Sequence, residues 1–413
     1  MPSQNNPRSL THFLGIGQIC SWGAFYYAFP MVALAMQQEL GWSKSDLYGA
    51  LTLGLLISAV LTFPVGVAID RGYGRSVMSA ASGATALLMV FWSYAHSLTA
   101  FYILAAGIGA LQAAILYEPA FAVLARRVGP LNSRAGITSI TLWGGFASTV
   151  FIPFEQFLLD GWGWRASLWA LAAVNLACAF GYLYFVRPQL DVVHTSQASA
   201  KAANNARDKT IVHEALRGPV FWLLLIALTI YAAMMSTFTF HMYPLLQEKD
   251  ITTNEVVQII AIIGPSQVLG RLLVSRFAPS LSMRVLGSVL VGTFPFVFSL
   301  LLTDSESFWL LASVFGVYGL TNGVFTIVRS QVVPEMLSQH AYGALNGLLT
   351  IPVTIARAVG PVVAAWLWTI DQSYHIVIEA IVWSSLLLAI SFWTADRVSR
   401  ARARLTSRTS DNP

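Results

Sequence analysis

Charge is the first scarcity in this 413-residue chain: Asp, Glu, Lys and Arg make up 10% of it, against about 25% in an ordinary soluble domain. With 56% of the residues apolar, there is too little polar side chain to coat a body of this size in water. That excludes a soluble enzyme, a nucleic-acid binder and a disordered scaffold as main readings. Cysteine is equally scarce, and Cys20 and Cys178 both fall inside apolar stretches, so neither a disulfide framework nor a zinc site is expected. The chain has no phosphate loop, His-Glu zinc helix, Gly-x-Ser-x-Gly elbow or nucleotide fingerprint. His213-Glu214 lacks a second His at zinc-helix spacing. No enzymatic activity, bound metal, cofactor or ATP fuelling is expected, and no nucleic-acid partner.

Long apolar runs are what the chain has in abundance. A bilayer-spanning helix needs about 20 mostly apolar residues, and twelve such stretches occur: 11–36, 45–69, 76–96, 99–124, 135–157, 166–186, 219–246, 253–275, 284–303, 307–332, 342–368 and 373–395. Barrel strands would instead alternate over about 10 residues. The first stretch is too long for a signal peptide's core and has only Arg8 as a basic flank, so it is read as a retained helix. The only long hydrophilic stretch, 188–218, is an expected linker, either a tether or one surface helix around Lys209 to Arg217. It separates a six-helix half at 1–187 from a second at 219–396, with a basic tail at 397–413. Of the 24 Lys and Arg, Lys44, Arg165 and Lys249 fall on one side, Arg271, Arg329 and Arg357 lie within spans, and the other eighteen share the side of the termini. This bias predicts that both termini are cytoplasmic.

The halves echo one another. Ser43-x-x-Asp46 opens the second span and Thr252-x-x-Glu255 the eighth, each a capping-box pattern. Pro153 corresponds to Pro361, and Gly66 to Gly270, at nearly the same shift. The expected fold class is therefore an all-α membrane protein, with twelve transmembrane helices in two pseudo-symmetric six-helix halves.

The turn after the second span reads Gly66-Val67-Ala68-Ile69-Asp70-Arg71-Gly72-Tyr73-Gly74-Arg75. It resembles the cytoplasmic loop motif of the major facilitator superfamily, G-x-x-x-D-R/K-x-G-x-R-R/K, with Tyr73 in place of Gly and Ser76 in place of a second basic residue. The resemblance implies the fold of that superfamily, alternating access by a single chain, and a gating role for Gly66, Asp70, Arg71 and Arg75. Ser76 implies a weaker latch, and a plain topology anchor is the alternative. Leu40-Gly41-Trp42-Ser43, Pro64, Gly66 through Arg75 and Val77-Met78 look most like the bacterial monocarboxylate and oxalate/formate branch. That likeness implies a bacterial inner-membrane location. The Gly-Pro-x-x-Gly-Gly motif of drug:proton antiporters is not reproduced, since Gly144-Gly145 precedes Pro153.

A charge near the bilayer centre costs roughly 2.5–3.5 kcal/mol on insertion scales, so each marks a candidate site. Arg357 lies about 22 Å into span eleven, among Ala356, Ala358, Gly360 and Pro361. In the superfamily this span lines the central cavity, so Arg357 is expected either to hold a substrate carboxylate through paired bonds or to pair with Glu118. Arg271 is a second cation. An Arg in span eight engages substrate in the resembling branch, whereas the alignment of Gly66 with Gly270 places Arg271 near the inner gate. Arg329 lies low in span ten and is expected to snorkel inward or to pair across the gate. Glu118, in Leu116-Tyr117-Glu118-Pro119, is the expected proton carrier or, alternatively, an ionised partner of Arg329 or Arg357. Pro119 frees a backbone carbonyl upstream.

Span one carries Gln18, Ser21, Trp22, Tyr26 and Tyr27, and span seven Tyr231, Thr237 and Thr239. These spans line the cavity in the superfamily. Tyr26, Gln18 and Tyr117 are therefore taken as substrate-facing, Trp22 as packing. Glu155, Glu379, His241 and His375 lie nearer the outer span ends and are read as interfacial or structural. The functional expectation is a monomeric, proton-coupled carrier of a small organic anion, a carboxylate, with protons and the lipid bilayer as its other partners. The alternative is a proton-antiport exporter of amphipathic compounds.

Overall fold

A computed structural model of the chain describes residues 7–129, 133–191, 211–277, 281–303, 305–337 and 342–410. Most of the expected linker and the last three residues of the expected tail lie outside the described residues, while 211–217 form a short helix. No strand occurs among the described residues. Among the described residues, ten helical tracts are long and apolar enough to cross a bilayer, and two of them run to 50 and 51 residues. At 1.5 Å per residue each of those two would reach about 75 Å, more than twice the ~30 Å hydrocarbon core. Both tracts double back at a glycine with positive φ, Gly72 (+95°) and Gly163 (+76°), a region that side-chain-bearing residues rarely adopt. Twelve passes result, and an even number returns both termini to one face.

We number the passes α1 (Arg8–Leu40), α2 (Lys44–Ala68), α3 (Gly74–Ser93), α4 (Leu98–Val128), α5 (135–162), α6 (164–185), α7 (Pro219–Gln247), α8 (Thr253–Phe277), α9 (Met283–Leu302), α10 (Phe308–Met336), α11 (Tyr342–Asp371) and α12 (His375–Ser410). The face opposite the termini is called the outer face. α12 runs well beyond the expected end at 395, because the Ala- and Arg-rich segment that follows favours helix.

The internal repeat is visible in the packing. The Ser43 side chain accepts from the Asp46 N–H at the start of α2, and Thr252 and Glu255 form a reciprocal capping box at the start of α8. α2 crosses α4 where Gly54 meets Gly109, so closely that a Cβ on Gly109 would lie 2.3 Å from the Gly54 Cα. α8 crosses α10 in the same way, with Gly323 against the Gln267 backbone. Small residues let membrane helices approach where apolar burial supplies no drive. Around the outside, Val60, Phe63, Ile103, Trp309 and Trp383 are exposed, as a lipid-facing surface requires.

Prolines then break this regularity at chosen levels. A proline supplies no N–H to the carbonyl four residues before it. Pro119 thus frees the Ile115 carbonyl, Pro244 that of Phe240, and Pro265 that of Ala261. A side chain from a neighbouring helix fills each: Gln18 Nε2 donates to Ile115 O at 3.0 Å, Tyr48 OH to Phe240 O at 2.7 Å, and Thr149 Oγ1 to Ala261 O at 2.8 Å. The last two bonds run between the halves, which meet along α2 with α11 and along α5 with α8.

Candidate functional site

The irregular turns converge near the membrane centre. α1 widens into a π-helical turn at Trp22–Tyr27, a distortion frequent at functional sites. α4 leaves the helix at 113–116 and restarts at Tyr117. Glu118 therefore stands in the first turn of the helix Tyr117–Val128, where unbonded N–H groups favour negative charge. Gln18 is fully buried, and its amide nitrogen donates to the Ile115 and Leu116 carbonyls (3.0 and 3.2 Å), so it holds the break in place.

Side chains from six helices share this level. Tyr26 packs on Trp22 (ring centroids 4.5 Å) and stacks on Phe240 of α7 (5.2 Å), while Trp22 also meets Tyr117 (5.4 Å). Tyr231 of α7 donates to Asn322 Oδ1 of α10 at 2.5 Å. The charges of Arg271, Arg329 and Arg357 all bear on the Tyr231 hydroxyl, and those of Arg357 and Glu118 both bear on Tyr26. Tyr117 feels Arg271 and Glu118. Three cations and one carboxylate thus lie within electrostatic reach of Tyr26, Tyr117 and Tyr231.

Their bonding differs sharply. Arg271 is engaged: its guanidinium donates to the Gly323 carbonyl (3.1 Å), to the Thr141 carbonyl of α5 (2.8 Å) and, at 3.5 Å, to the Thr326 hydroxyl. It therefore ties α8 to α10 and, across the halves, to α5. Arg329 is half-buried on α10. Arg357 is half-buried and Glu118 exposed. Among the described residues neither makes an ion pair within 4.0 Å, and Arg357 makes no hydrogen bond. A guanidinium at this depth with no fixed partner is a ready receptor for an anion.

The gating-motif residues lie on the termini face. A Cβ on Gly66 would meet nothing within 4 Å, and the left-handed turn falls at Gly72, one position before the motif's usual glycine. The Asp70 carbonyl accepts from Arg126, which pairs with Asp191 at 2.9 Å, and Arg127 lies 3.6 Å from the same carboxylate. The contacts of Asp70 thus stay within the first half, and the Arg75 Nε is buried without a partner among the described residues. A Cβ on Gly347 of α11 would also meet nothing.

The outer ends, in contrast, are joined. Lys44 of α2, 6% exposed, reaches Glu248, the residue that caps the end of α7, at 3.3 Å and lies 3.5 Å over the Trp368 ring of α11. Glu248 accepts further from Trp368 Nε1 (2.6 Å) and the Tyr374 N–H (3.0 Å). Thr52 donates to the Ala358 carbonyl and Tyr243 to Gln156 Oε1. His241 is buried here. Its Nε2 faces the Pro361 carbonyl, an acceptor only, so that nitrogen carries the proton and Nδ1 accepts from Tyr374 OH. His375 and Glu379 face each other at 3.7 Å, exposed on α12. The sequence reading had no role for Asn322 or for Lys44 with Glu248. A lone amide in an apolar run, and a lysine at a helix start on the otherwise base-poor side, were the available signals. Among the described residues no cluster of three His, Cys, Asp or Glu could hold a metal ion.

Comparison with known proteins agrees with this architecture. The family model described as Major Facilitator Superfamily matches residues 14–361. Monocarboxylate transporter 13 of Bos taurus is 24% identical over 372 residues, covering 87% of this chain and 81% of the relative. Monocarboxylate transporter 11 of Mus musculus is 36% identical over 118 residues, 27% of this chain and 25% of the relative. The solved structure of the nucleoside transporter NupG superposes with a TM-score of 0.73 at 14% identity, over 94% of this chain and 99% of that one. A bacterial homolog of the human lysosomal transporter Spinster, in an inward-facing and unoccupied conformation, gives 0.70 at 14% identity, over 97% and 98%. At such identities the likeness is one of fold. The chain is a multi-pass membrane transporter of the Major Facilitator Superfamily and not an enzyme.

Proposed function

We propose that this chain is a secondary active carrier of a small carboxylate, moved together with protons by alternating access between its two six-helix halves. The observation that carries the reading is Arg357, a half-buried guanidinium without ion pair or hydrogen bond among the described residues, beside two further arginines around Tyr231. Arg357 holds the carboxylate, with Tyr26, Tyr117 and the Arg271 edge completing the pocket, and Gln18 supports it from behind. Glu118, exposed at a half-helix start, carries the proton. The relatives named monocarboxylate transporters support the substrate class. The alternative, export of amphipathic compounds, requires Arg357 to be neutralised internally, and no such pair is present among the described residues.

The outer ends are closed and Gly66 and Gly347 stand open, so the conformation is read as inward-facing, with both termini cytoplasmic in a bacterial inner membrane and the chain acting as a monomer. Asp70, Arg71, Arg75 and Arg329, with Gly66, form the latch of the opposite conformation. Binding tests the pocket directly. Short monocarboxylates should raise the melting temperature of the purified protein, their neutral amides should not, and Arg357→Gln should abolish the shift. At 100 times Kd the stabilisation is about 2.7 kcal/mol. A shift retained in full by Arg357→Gln would remove the carboxylate from that residue.

A further inference from the structure

Glu155 on α5 has no part in the pocket just described. It is 0% exposed. Its Oε1 accepts from the Ser167 hydroxyl of α6, and its Oε2 is buried with no partner among the described residues. One helical turn further out, Leu159 lines an outer vestibule of about 490 Å³ between the halves, together with Asp160, Trp164 and Tyr243. The neighbouring residue, Gln156, forms the floor of that vestibule: it accepts from Tyr243 OH of α7 at 2.6 Å and donates to Asp160 at 2.7 Å.

Toward the outer face, the elements around Glu155 carry Asp160 on α5, Arg165 on α6, Glu39 on α1, Tyr243 on α7 and Glu255 on α8, whereas His241 of α7 is bonded to Tyr374 and the Pro361 carbonyl and Arg271 of α8 to the Gly323 and Thr141 carbonyls. Arg165 is paired with Glu39, and Glu255 is held in its capping box. Among the described residues none forms an ion pair with Glu155. A carboxylate sealed from water with one oxygen unmet and no cation is strongly disfavoured, and the neutral acid is the form such a cavity accepts.

We propose that Glu155 is a proton-binding site of the outer gate, protonated while the halves are closed over the vestibule and ionised when they part. Opening breaks the Tyr243–Gln156 bond across the halves, and water from the vestibule reaches the carboxyl one turn below. The O–H bond then breaks, the proton passes to that water, and the carboxylate is hydrated. Closure reverses the step and takes one proton from the outer solution. The site is independent of what the central pocket carries, so it can stand or fall apart from the carboxylate reading.

Infrared spectroscopy of the full-length protein in lipid nanodiscs tests it. At pH 7 the wild type should show the C=O stretch of a protonated carboxylic acid that is missing from Glu155→Gln and kept in Glu118→Gln. Ser167→Ala should shift that band without removing it, which keeps the test decisive should Glu155→Gln misfold. With distance labels at the exposed outer residues His96 and Gln372, the open-to-closed ratio should rise up to about tenfold per pH unit where the band disappears. In Glu155→Gln the ratio should be independent of pH. A wild type without the band at pH 7, or a Glu155→Gln protein with an unchanged pH profile, would overturn the proposal.

Discussion

Tyr48→Phe removes one oxygen atom and should change which way the carrier faces. Tyr48 is 2% exposed, and its hydroxyl donates to the Phe240 carbonyl at 2.7 Å, the carbonyl that Pro244 leaves without a helical donor. Phe keeps the ring, and with it the stacking on His241 at 4.1 Å. The loss is confined to the hydrogen bond, and leaving a buried acceptor unmet costs about 1–3 kcal/mol. Because the bond joins α2 to α7, the cost falls only on the conformation in which the outer ends are closed. When they part, water solvates the carbonyl in wild type and variant alike. The closed-to-open ratio should therefore fall about 5- to 150-fold. Distance measurements between labels at His96 and Gln372 in nanodiscs would read this as growth of a long-distance population. Gln18→Leu is the control. It leaves the Ile115 carbonyl without a donor, while Leu116 O keeps the Ala120 N–H, and all of this lies within one half, so it should lower the melting temperature and leave the distance distribution unchanged. A folded Tyr48→Phe protein with the wild-type distribution would refute the argument that proline-freed carbonyls hold the outer gate.

Two further outcomes follow from contacts at the helix ends. Glu248→Gln should open the outer gate, because it leaves the Lys44 ammonium buried without its anion. The double exchange Lys44→Glu with Glu248→Lys should fail to restore closure, since Trp368 Nε1 and the Tyr374 N–H also require an acceptor at 248; full recovery in the same distance measurement would reduce the contact to a simple ion pair. Gly163→Ala should destabilise more than Gly72→Ala, as judged by thermal melts. Gly163 (φ +76°, ψ 172°) occupies a region almost reserved for glycine, whereas Gly72 (φ +95°, ψ 4°) borders the left-handed helical region that alanine enters for about 1–2 kcal/mol. Equal melts would argue against the backbone origin of these two reversals.

Much of the scaffold was legible because the bilayer imposes length and apolarity directly on the chain. All twelve spans and the paired caps at Ser43 and Thr252 were readable in this way. Pro119 announced a freed carbonyl, but nothing local to it could name Gln18, 97 positions earlier, as the donor. Glu155 reads from the chain as interfacial or structural, and the fold buries it for a definable reason. An end to the fifth span at 157 places it two residues from the interface, whereas the helix continues through the polar Asp160 to 162 and α6 folds back over it. Arg271 reads from the chain as a membrane charge for either the substrate or the inner gate. In the fold its guanidinium meets carbonyls on two other helices, a contact invisible until α5, α8 and α10 are brought together. The basic tail read as a loose end because its charges say nothing of its propensity, and α12 absorbs it as helix.

Anion–proton symport itself is tested most directly in liposomes that contain the purified protein and an internal pH-sensitive dye. A panel of small mono- and dicarboxylates would be added outside, with wild type and Arg357→Gln inserted to equal levels. Losing the guanidinium's charge-assisted bonds to a carboxylate, each worth about 1.5–3 kcal/mol, should cost at least tenfold in rate at low substrate. Anion–proton symport should give protein-dependent internal acidification by a subset of the acids, lost in Arg357→Gln. Acidification no faster than in empty liposomes for every acid, together with exchange of preloaded lipophilic cations for protons, would contradict it.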